Sequence, residues 1–184
     1  MNNRQYFRDW FVSVLDDLYT NGNAGFAIMM IVFPLLERYL REKSGIHEDA
    51  ISNNTFYVEL RKIFPELVSD QAARNFWEAY RHGLLHQVTI SLKNRKGVNL
   101  PSGWLSHNLE TIEVDKSGNF CVHPTKFAKR IIEIIESDFE TFEGRHSPAH
   151  PLPGVFNIGT IYQGTASPGA TFDNWPGPSR KKGS

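Results

Sequence analysis

Three features are scarce or missing in this chain of 184 residues: cysteine, net charge and long apolar runs. The single cysteine, Cys121, has no partner for a disulfide within the chain, which favours a reducing compartment and excludes a metal site built from several cysteines. The formal charge is zero, so the field of the whole molecule does not steer it to nucleic acid. Any binding of nucleic acid must then come from a local site or from the assembly of several chains.

No stretch of the sequence has the length and apolarity of a membrane span. The longest apolar run, residues 26–36, contains Pro34 and is about half as long as the roughly 20 residues that a spanning helix needs. The first residues also lack the charged region, the apolar region and the cleavage site of a secretory signal. We therefore predict a cytoplasmic protein that does not associate with a membrane.

Apolar residues at helical spacing predict four helices before residue 90. The first begins at Asn3, directs one apolar side to the core and stops at an Asn-Gly pair. The second, residues 23–44, is apolar nearly all round in its first half, so we place it at the centre of a bundle. The third ends near Pro65, and Ser69 or Asp70 caps the fourth. The predicted core positions are Phe7, Trp10, Phe11, Val14, Leu15 and Leu18 in the first helix, Phe56, Leu60, Ile63 and Phe64 in the third, and Ala73, Phe76, Trp77, Tyr80, Leu84 and Leu85 in the fourth.

After His86 the apolar residues alternate, as is typical of strands. A turn at residues 115–118 separates the last two of these segments. We predict a small β-hairpin or three-stranded insertion at about residues 88–123, followed by a long helix that starts at Pro124 and continues to Phe142. The alternating positions are Val88, Ile90 and Leu92, then Ile112 and Val114, then Phe120 and Val122.

From residue 145 the composition shifts to Pro, Gly, Ser and Thr, with too few clustered apolar residues for a core. The predicted fold class is therefore mainly α: a four- to five-helix bundle, residues 1–144, with the β insertion after the fourth helix. A Pro/Gly-rich C-terminal tail or arm, residues 145–184, follows it. Within the tail, residues 155–162 are apolar enough to pair as a strand with their own domain or with a partner chain.

The segment from Arg81 to His86 concentrates groups that bind phosphate or transfer protons more tightly than any other stretch of the sequence. It contains one permanent cation and two imidazoles. In an ideal α-helix His82 and His86 share a face, whereas Arg81 and His86 lie about 140° apart around the axis. A guanidinium binds phosphate oxygens, and a histidine exchanges protons near neutral pH. Together they supply what RNA cleavage without a metal needs: a base for the 2′-hydroxyl, a cation for the developing charge and an acid for the leaving 5′-oxygen.

This segment resembles the HEPN superfamily, whose ribonucleases carry an arginine and a histidine separated by four to six residues on a helix of an all-α bundle. The residue after that arginine is commonly Asn, Asp or His, and Arg81, His82 and His86 match this pattern with four residues between the first and the last. The likeness covers roughly residues 3–142. It implies a homodimer in which two motifs face each other across a shared cleft and cleave RNA to a 2′,3′-cyclic phosphate without a metal or other cofactor.

The resemblance leaves two functions open. Many members of the superfamily are toxins or anti-phage effectors, which implies an RNA substrate and allows an antitoxin or other partner protein. Other members have lost catalysis and serve as scaffolds. The sequence alone therefore does not decide between an endoribonuclease and a catalytically silent dimerisation or interaction module.

The presence of each residue of the motif can also be explained without a catalytic role. Arg81 can pair with Glu78, three residues earlier on the same helix. His82 and His86 have the spacing of two zinc ligands, but no third ligand is evident, and we predict no metal site. His86 can also lie at the edge of the core near the helix end. Glu37 and Arg38, near the end of the central helix, are predicted to form an ion-paired rim rather than to be catalytic.

Two further sets of basic residues carry less specific signals. Lys126, Lys129 and Arg130 form a basic start to the last helix, which is either a solvated face or a surface that contacts RNA. We retain these three as candidate substrate-binding residues. Arg41 and His47 also have the spacing of the HEPN motif, but a predicted helix end at Ser44 and Gly45 separates them, so they would not share one helical surface.

Overall fold

Six helices and one small sheet are present in the computed structural model of the chain, which describes residues 3–46, 54–87 and 101–144. All of these residues belong to one unit, Met1–Pro151. The predicted fold class is confirmed, because the chain is mainly helical with a three-stranded sheet after the fourth helix. The strand predicted at Val88, Ile90 and Leu92 and the Pro/Gly-rich tail, residues 145–184, lie outside the described residues.

Two of the six helices contain π-helical segments, in which N–H and C=O groups five residues apart are joined. The first such segment lies in the middle of α1, and the second forms the last part of α4. The helices are α1 (Asn3–Phe7, π-helical Arg8–Val12, Ser13–Tyr19), α2 (Gly25–Ser44), α3 (Asn54–Ile63), α4 (Asp70–Trp77, π-helical Glu78–Gln87), α5 (Pro124–Ser137) and α6 (Phe139–Glu143).

Helix α1 directs fewer residues to the core than its spacing predicts. Phe7 and Leu15 are fully buried, but Trp10 is 37% exposed and Val14 is 42% exposed. The prediction that Trp10 and Val14 lie in the core was wrong. Its physical reason is the π-helical segment, which has more residues per turn and so shifts the side chains around the axis relative to an α-helix.

Helix α2 lies at the centre of the bundle. It packs against α1, α3, α5, α6 and the π-helical part of α4. Gly45 ends it in the left-handed conformation, with φ of 68°, which glycine adopts without the steric cost of a side chain. The Ile46 N–H donates to the Arg41 carbonyl oxygen at 3.0 Å and closes the last turn.

Aromatic rings join α2 to its neighbours. Phe33, which is fully buried on α2, has its ring centroid 5.4–6.0 Å from the centroids of four other rings. Three of these rings belong to α4 and one to α5, so a single side chain connects three helices. The four neighbours are Phe76, Trp77, Tyr80 and Phe127.

The sheet contains the strands β1 (Gly103–Leu105), β2 (Ile112–Val114) and β3 (Phe120–Val122) in the order β1-β3-β2. Strand β3 is antiparallel to β2 and parallel to β1. The hairpin of β2 and β3 was predicted, and its turn is held by the Asp115 carboxylate, which accepts from the N–H groups of Ser117 and Asn119. Strand β1 was missed, because three residues that include a glycine show no alternation of their own.

The Tyr80 hydroxyl joins α4 to this sheet. It donates to the carbonyl oxygen of Trp104 at 2.8 Å and lies 3.2 Å from that of Phe120, on the neighbouring strands β1 and β3. Burial, followed by the nearby Cys121 thiol, raises the pKa of Tyr80, so the hydroxyl keeps its proton and remains a donor. The sheet therefore fixes one side of the helical segment that carries Arg81.

The last predicted helix is interrupted. A continuous helix through Phe142 was predicted, and this was wrong, because Asp138 has φ of −127° and ψ of 48°, outside the helical region. Its carboxylate accepts from Tyr39 at 3.1 Å, Lys43 at 2.6 Å and Thr141 at 2.7 Å. These three bonds stabilise the break between α5 and α6, and spacing along the sequence could not reveal two of the three partners.

His123 caps the N-terminus of α5. Its Nδ1 accepts from the Lys126 N–H at 3.3 Å, and Pro124 occupies the start of the helix as predicted. The residue is 9% exposed, and its ring centroid lies 5.2 Å from that of His107. Burial, followed by the charges of His107 and Lys126, lowers the pKa of His123, although Glu110 opposes the shift. The neutral ring that can accept the capping bond is thereby favoured.

We expect His123→Asn to reduce the acid sensitivity of folding. Because the pKa of His123 is lower in the folded state than its ordinary value of 6.5, the unfolded chain binds more protons, and stability falls as the pH drops below 6.5 towards the folded pKa. Asparagine also caps helices but does not titrate. Urea unfolding at pH 7 and pH 5 should show a smaller loss of stability in the variant than in the wild type, and an equal loss would contradict the role given to His123.

Candidate functional site

Arg81 lies in the π-helical part of α4, immediately after the buried Tyr80. The helical setting predicted for the motif is confirmed, and π-helical segments are rare and often occur at functional sites. The backbone of His82 and His86 belongs to the same segment, whereas their side chains lie outside the described part of the structure.

The π-helical geometry changes the angle between Arg81 and His86 around the helix axis. In α-helical geometry two residues five apart differ by about 140° around the axis, and that geometry is wrong for this segment. Where N–H and C=O groups five residues apart are joined, the backbones of Arg81 and His86 lie one turn from each other. The two backbone positions therefore come nearer to one face of the helix than the sequence analysis assumed.

A carboxylate on α2 holds the Arg81 side chain. Arg81 Nε donates to Glu37 Oε2 at 3.0 Å, and Arg81 Nη2 lies 3.4 Å from Glu37 Oε1. The same Oε1 accepts from Arg41 Nη2 at 2.8 Å and from Arg41 Nε at 3.0 Å. The predicted ion pairing of Glu37 is thus confirmed. We call Glu37, Arg41 and Arg81 the Glu37 cluster.

The Glu37 cluster carries one net positive charge at neutral pH. Burial by itself raises the pKa of Glu37, but the hydrogen bonds and charges of Arg81 and Arg41 outweigh it, so that the pKa lies below its ordinary value. The carboxylate is therefore ionised between two guanidiniums, which are always charged. The side chains of Arg81 and Arg41 are 25% and 21% exposed, so both lie partly at the surface.

The three basic residues at the start of α5 have partners within the fold. Lys126 Nζ donates to the Leu109 carbonyl oxygen at 3.1 Å, and Lys129 Nζ lies 5.4 Å from the centroid of the Tyr19 ring. Arg130 forms an ion pair of 2.8 Å with a carboxylate in the turn after α3 and donates to the side chain of a buried threonine before β2. These described contacts tie the three side chains to their own surroundings and do not join them to Arg81. Their role in binding RNA stays a prediction.

A cleft of about 200 Å³ opens on the outer face of the sheet. Trp104 and Glu113 flank Cys121 in the neighbouring strands, and Asp115 and Asn119 line one end of the cleft. Burial, followed by the charge of Glu113, raises the pKa of the Cys121 thiol, which disfavours the reactive thiolate. The described lining of this cleft includes none of the predicted site residues.

Sequence reasoning missed the link between Arg81 and α2. Glu78, three residues before Arg81, was the partner that the alternative without catalysis assigned to Arg81, but the described ion pair of Arg81 is with Glu37, on another helix. Arg41 was set aside as a site residue, yet its position four residues after Glu37 is a signal for an ion pair on one face of α2. Only the packing of α4 on α2 brings Arg81 to the same carboxylate.

No protein-family model, curated protein or solved structure matches this chain. The candidate site consequently depends on the motif and on the geometry of the Glu37 cluster. In the part of the chain that the structure describes, no helix combines the length and the apolarity that crossing a membrane requires.

Proposed function

We propose that this protein is a metal-independent endoribonuclease of the HEPN type that acts as a homodimer. The observation that carries the proposal is the partly exposed Arg81 side chain, which Glu37 holds in a π-helical segment whose next turn contains His86. In this proposal Arg81 stabilises the negative charge that develops on the phosphate, and His86 acts as acid or base. His82 assists with positioning or proton transfer.

The proposed cleavage transfers two protons and breaks one bond. A base removes the proton of the 2′-hydroxyl, whose oxygen attacks the phosphorus, and an acid protonates the leaving 5′-oxygen. The product is a 2′,3′-cyclic phosphate, and a nearby guanidinium stabilises the charge on the phosphate oxygens during the attack. In this proposal two copies of the chain face each other, so that the arginines and histidines of both motifs surround one shared cleft.

The cellular role that fits this activity is that of a toxin or an anti-phage effector. Cleavage of RNA inside a cell has to be restrained until it is needed, and an antitoxin protein is the corresponding partner. Growth that slows when the wild-type protein is overproduced, but not when an inactive variant is, would support this role.

A catalytically silent interaction module is the second candidate. The Glu37 cluster favours it in one respect, because the ion pair with Glu37 gives Arg81 a structural role without any substrate. Phe26 and Met30, one turn apart on α2, are 41% and 42% exposed and offer apolar surface for a partner. This candidate predicts no RNA cleavage and no effect on growth.

We expect Arg81→Gln to slow RNA cleavage by about 10²–10³-fold, the loss typical of removing one donor to a developing oxyanion. Glutamine can still donate a hydrogen bond to Glu37, but it carries no charge for the phosphate. Initial rates on a structured RNA in EDTA measure this effect. Arg81→Lys keeps the charge without the planar fork of the guanidinium and should give an intermediate rate.

The matched control is Arg8→Gln. Arg8 also pairs with one glutamate, Glu136 at 2.7 Å, but lies on α1 and is not part of the proposed site. Its substitution should leave the rate unchanged. If wild type and Arg81→Gln cleave at equal rates, the role given to Arg81 is wrong and the silent module is favoured.

A further inference from the structure

The cleft on the outer face of the sheet has a small side chain between two larger ones. Cys121 of β3 pairs with Trp104 of β1 and with Glu113 of β2, so the three side chains lie in one row on the same face. The thiol is the shortest of the three, and all three line the cleft of about 200 Å³. We call this cleft the Cys121 groove.

One side of the Cys121 groove is a partly exposed indole on a fixed backbone. Trp104 is 52% exposed. Its carbonyl oxygen accepts from the Tyr80 hydroxyl at 2.8 Å, and its strand pairs with β3, so the main chain that carries the indole is held in place. Tryptophan attracts cations more strongly than the other aromatic side chains do, because the face of its ring is negative. A cation that enters the groove can therefore gain from contact with this ring.

The charged groups of the described lining are both carboxylates. Glu113 contributes an exposed one, and Asp115 contributes a second one at the end of the groove. Hydrogen bonds from the side chain and the N–H of Asn119 lower the pKa of Asp115, so this carboxylate is ionised at neutral pH. The described lining contains no Lys, Arg or His. The groove therefore favours a cation over an anion such as a phosphate.

The size of the groove suits one side chain rather than a whole small molecule. Its volume of about 200 Å³ is below the roughly 300–1,000 Å³ of sites that enclose drug-sized ligands. Among cationic side chains, arginine matches an indole beside a carboxylate, because its planar guanidinium can stack on the ring and donate two N–H groups to the carboxylate. An ammonium group is a compact point charge without that planar fork.

We propose that the Cys121 groove binds an arginine side chain of a partner protein, with the guanidinium against the Trp104 ring and its N–H groups donating to the Glu113 carboxylate. The Cys121 thiol forms the floor of the groove and takes part in no reaction. The inference does not depend on RNA cleavage, because none of the residues that it uses belongs to the motif on α4.

The experiment titrates ¹⁵N-labelled full-length protein with a short capped peptide that carries one arginine between glycines and serines. Two matched peptides replace the arginine by citrulline, which has the same shape without the charge, or by lysine. The readout is the NMR signal of the Trp104 indole N–H, identified by its absence in Trp104→Leu. A single side chain in an open groove should bind in about the millimolar range, so the titration extends to about 10 mM.

We expect the arginine peptide to shift the Trp104 signal saturably, the lysine peptide to bind several-fold more weakly, and the citrulline peptide to cause no saturable shift. Glu113→Gln should weaken binding of the arginine peptide about tenfold, the loss typical of one hydrogen bond to a charged group. Trp104→Leu, followed through the backbone N–H of Cys121, should weaken it about three- to fivefold, as expected for an exposed cation–π contact.

The matched control is Glu110→Gln. It removes the same charge from a glutamate just before β2 whose side chain is 95% exposed and which is not in the described lining of the groove, so the affinity should not change. Equal binding of the arginine and citrulline peptides, an unchanged affinity in Glu113→Gln, or no saturable shift by any peptide would each overturn the inference. A Trp104 signal that shifts with protein concentration alone would assign the groove to a second copy of the chain and overturn the choice of a different partner.

Discussion

His86→Ala should lower the rate of RNA cleavage by about 10²–10⁴-fold, because a positioned general acid or base contributes a factor of that size. The backbone of His86 lies one turn after Arg81 in the π-helical part of α4, so both residues of the motif belong to one short helical segment. Alanine removes the imidazole while favouring a helical backbone. The measurement is the initial rate of cleavage in EDTA by purified wild type and variant at equal concentration.

A second histidine variant controls for the loss of an imidazole in general. His107 is exposed, and its Nε2 lies 3.2 Å from the carbonyl oxygen of Gly22, away from the proposed site residues in the sequence. His107→Ala should cleave RNA at the wild-type rate. If His107→Ala and His86→Ala lose activity to the same extent, the loss does not report on a catalytic histidine.

Phe33→Ala should lower the free energy of unfolding by about 3–5 kcal/mol, the range measured for deleting a fully buried aromatic ring. The ring is fully buried, and its centroid lies within 5.4–6.0 Å of four other ring centroids on α4 and α5. Its removal leaves a cavity where three helices meet. Because domains of this kind are stable by only about 5–15 kcal/mol, urea unfolding should shift to a much lower midpoint.

Phe26→Ala is the matched control for Phe33→Ala. It makes the same substitution on the same helix, but Phe26 is 41% exposed. The change in helix propensity is common to both variants, and only the burial differs. We expect Phe26→Ala to change the free energy of unfolding by about 0.5 kcal/mol or less, as surface substitutions usually do. An equal loss in both variants would contradict the central position of Phe33.

The helices could be predicted where local signals agree with the fold. Ser69 caps α4 by accepting a hydrogen bond from the N–H of Ala72, Gly45 ends α2, and Pro124 starts α5. Each of these residues acts through its own backbone or side chain. The break at Asp138 could not be predicted, because two of its three partners lie about 100 residues earlier in the chain.

The π-helical segments limited the prediction of which side chains share a face. Spacing rules assume 3.6 residues per turn, and Arg8–Val12 and Glu78–Gln87 do not follow that geometry. As a result, Trp10 is partly exposed, and the angle of about 140° assumed for Arg81 and His86 does not apply. The residue types in these two segments do not predict a π-helix.

The candidate site was predicted in part. The motif on α4 could be read from residue types and spacing, whereas the Glu37 cluster required the packing of α4 against α2. The local pair of Glu37 and Arg41, four residues apart, was visible in the sequence, but nothing in the sequence linked it to Arg81. Charge clusters assembled from distant segments are therefore the part of such a site that spacing does not reveal.

The most direct test of the account is the chemistry of the RNA ends formed in EDTA. The wild-type protein should cleave RNA in the presence of the chelator and leave 2′,3′-cyclic phosphate and 5′-hydroxyl ends, and both Arg81→Gln and His86→Ala should form these ends far more slowly. Absence of cleavage in EDTA, or equal cleavage by the wild type and the two variants, would contradict the proposed function.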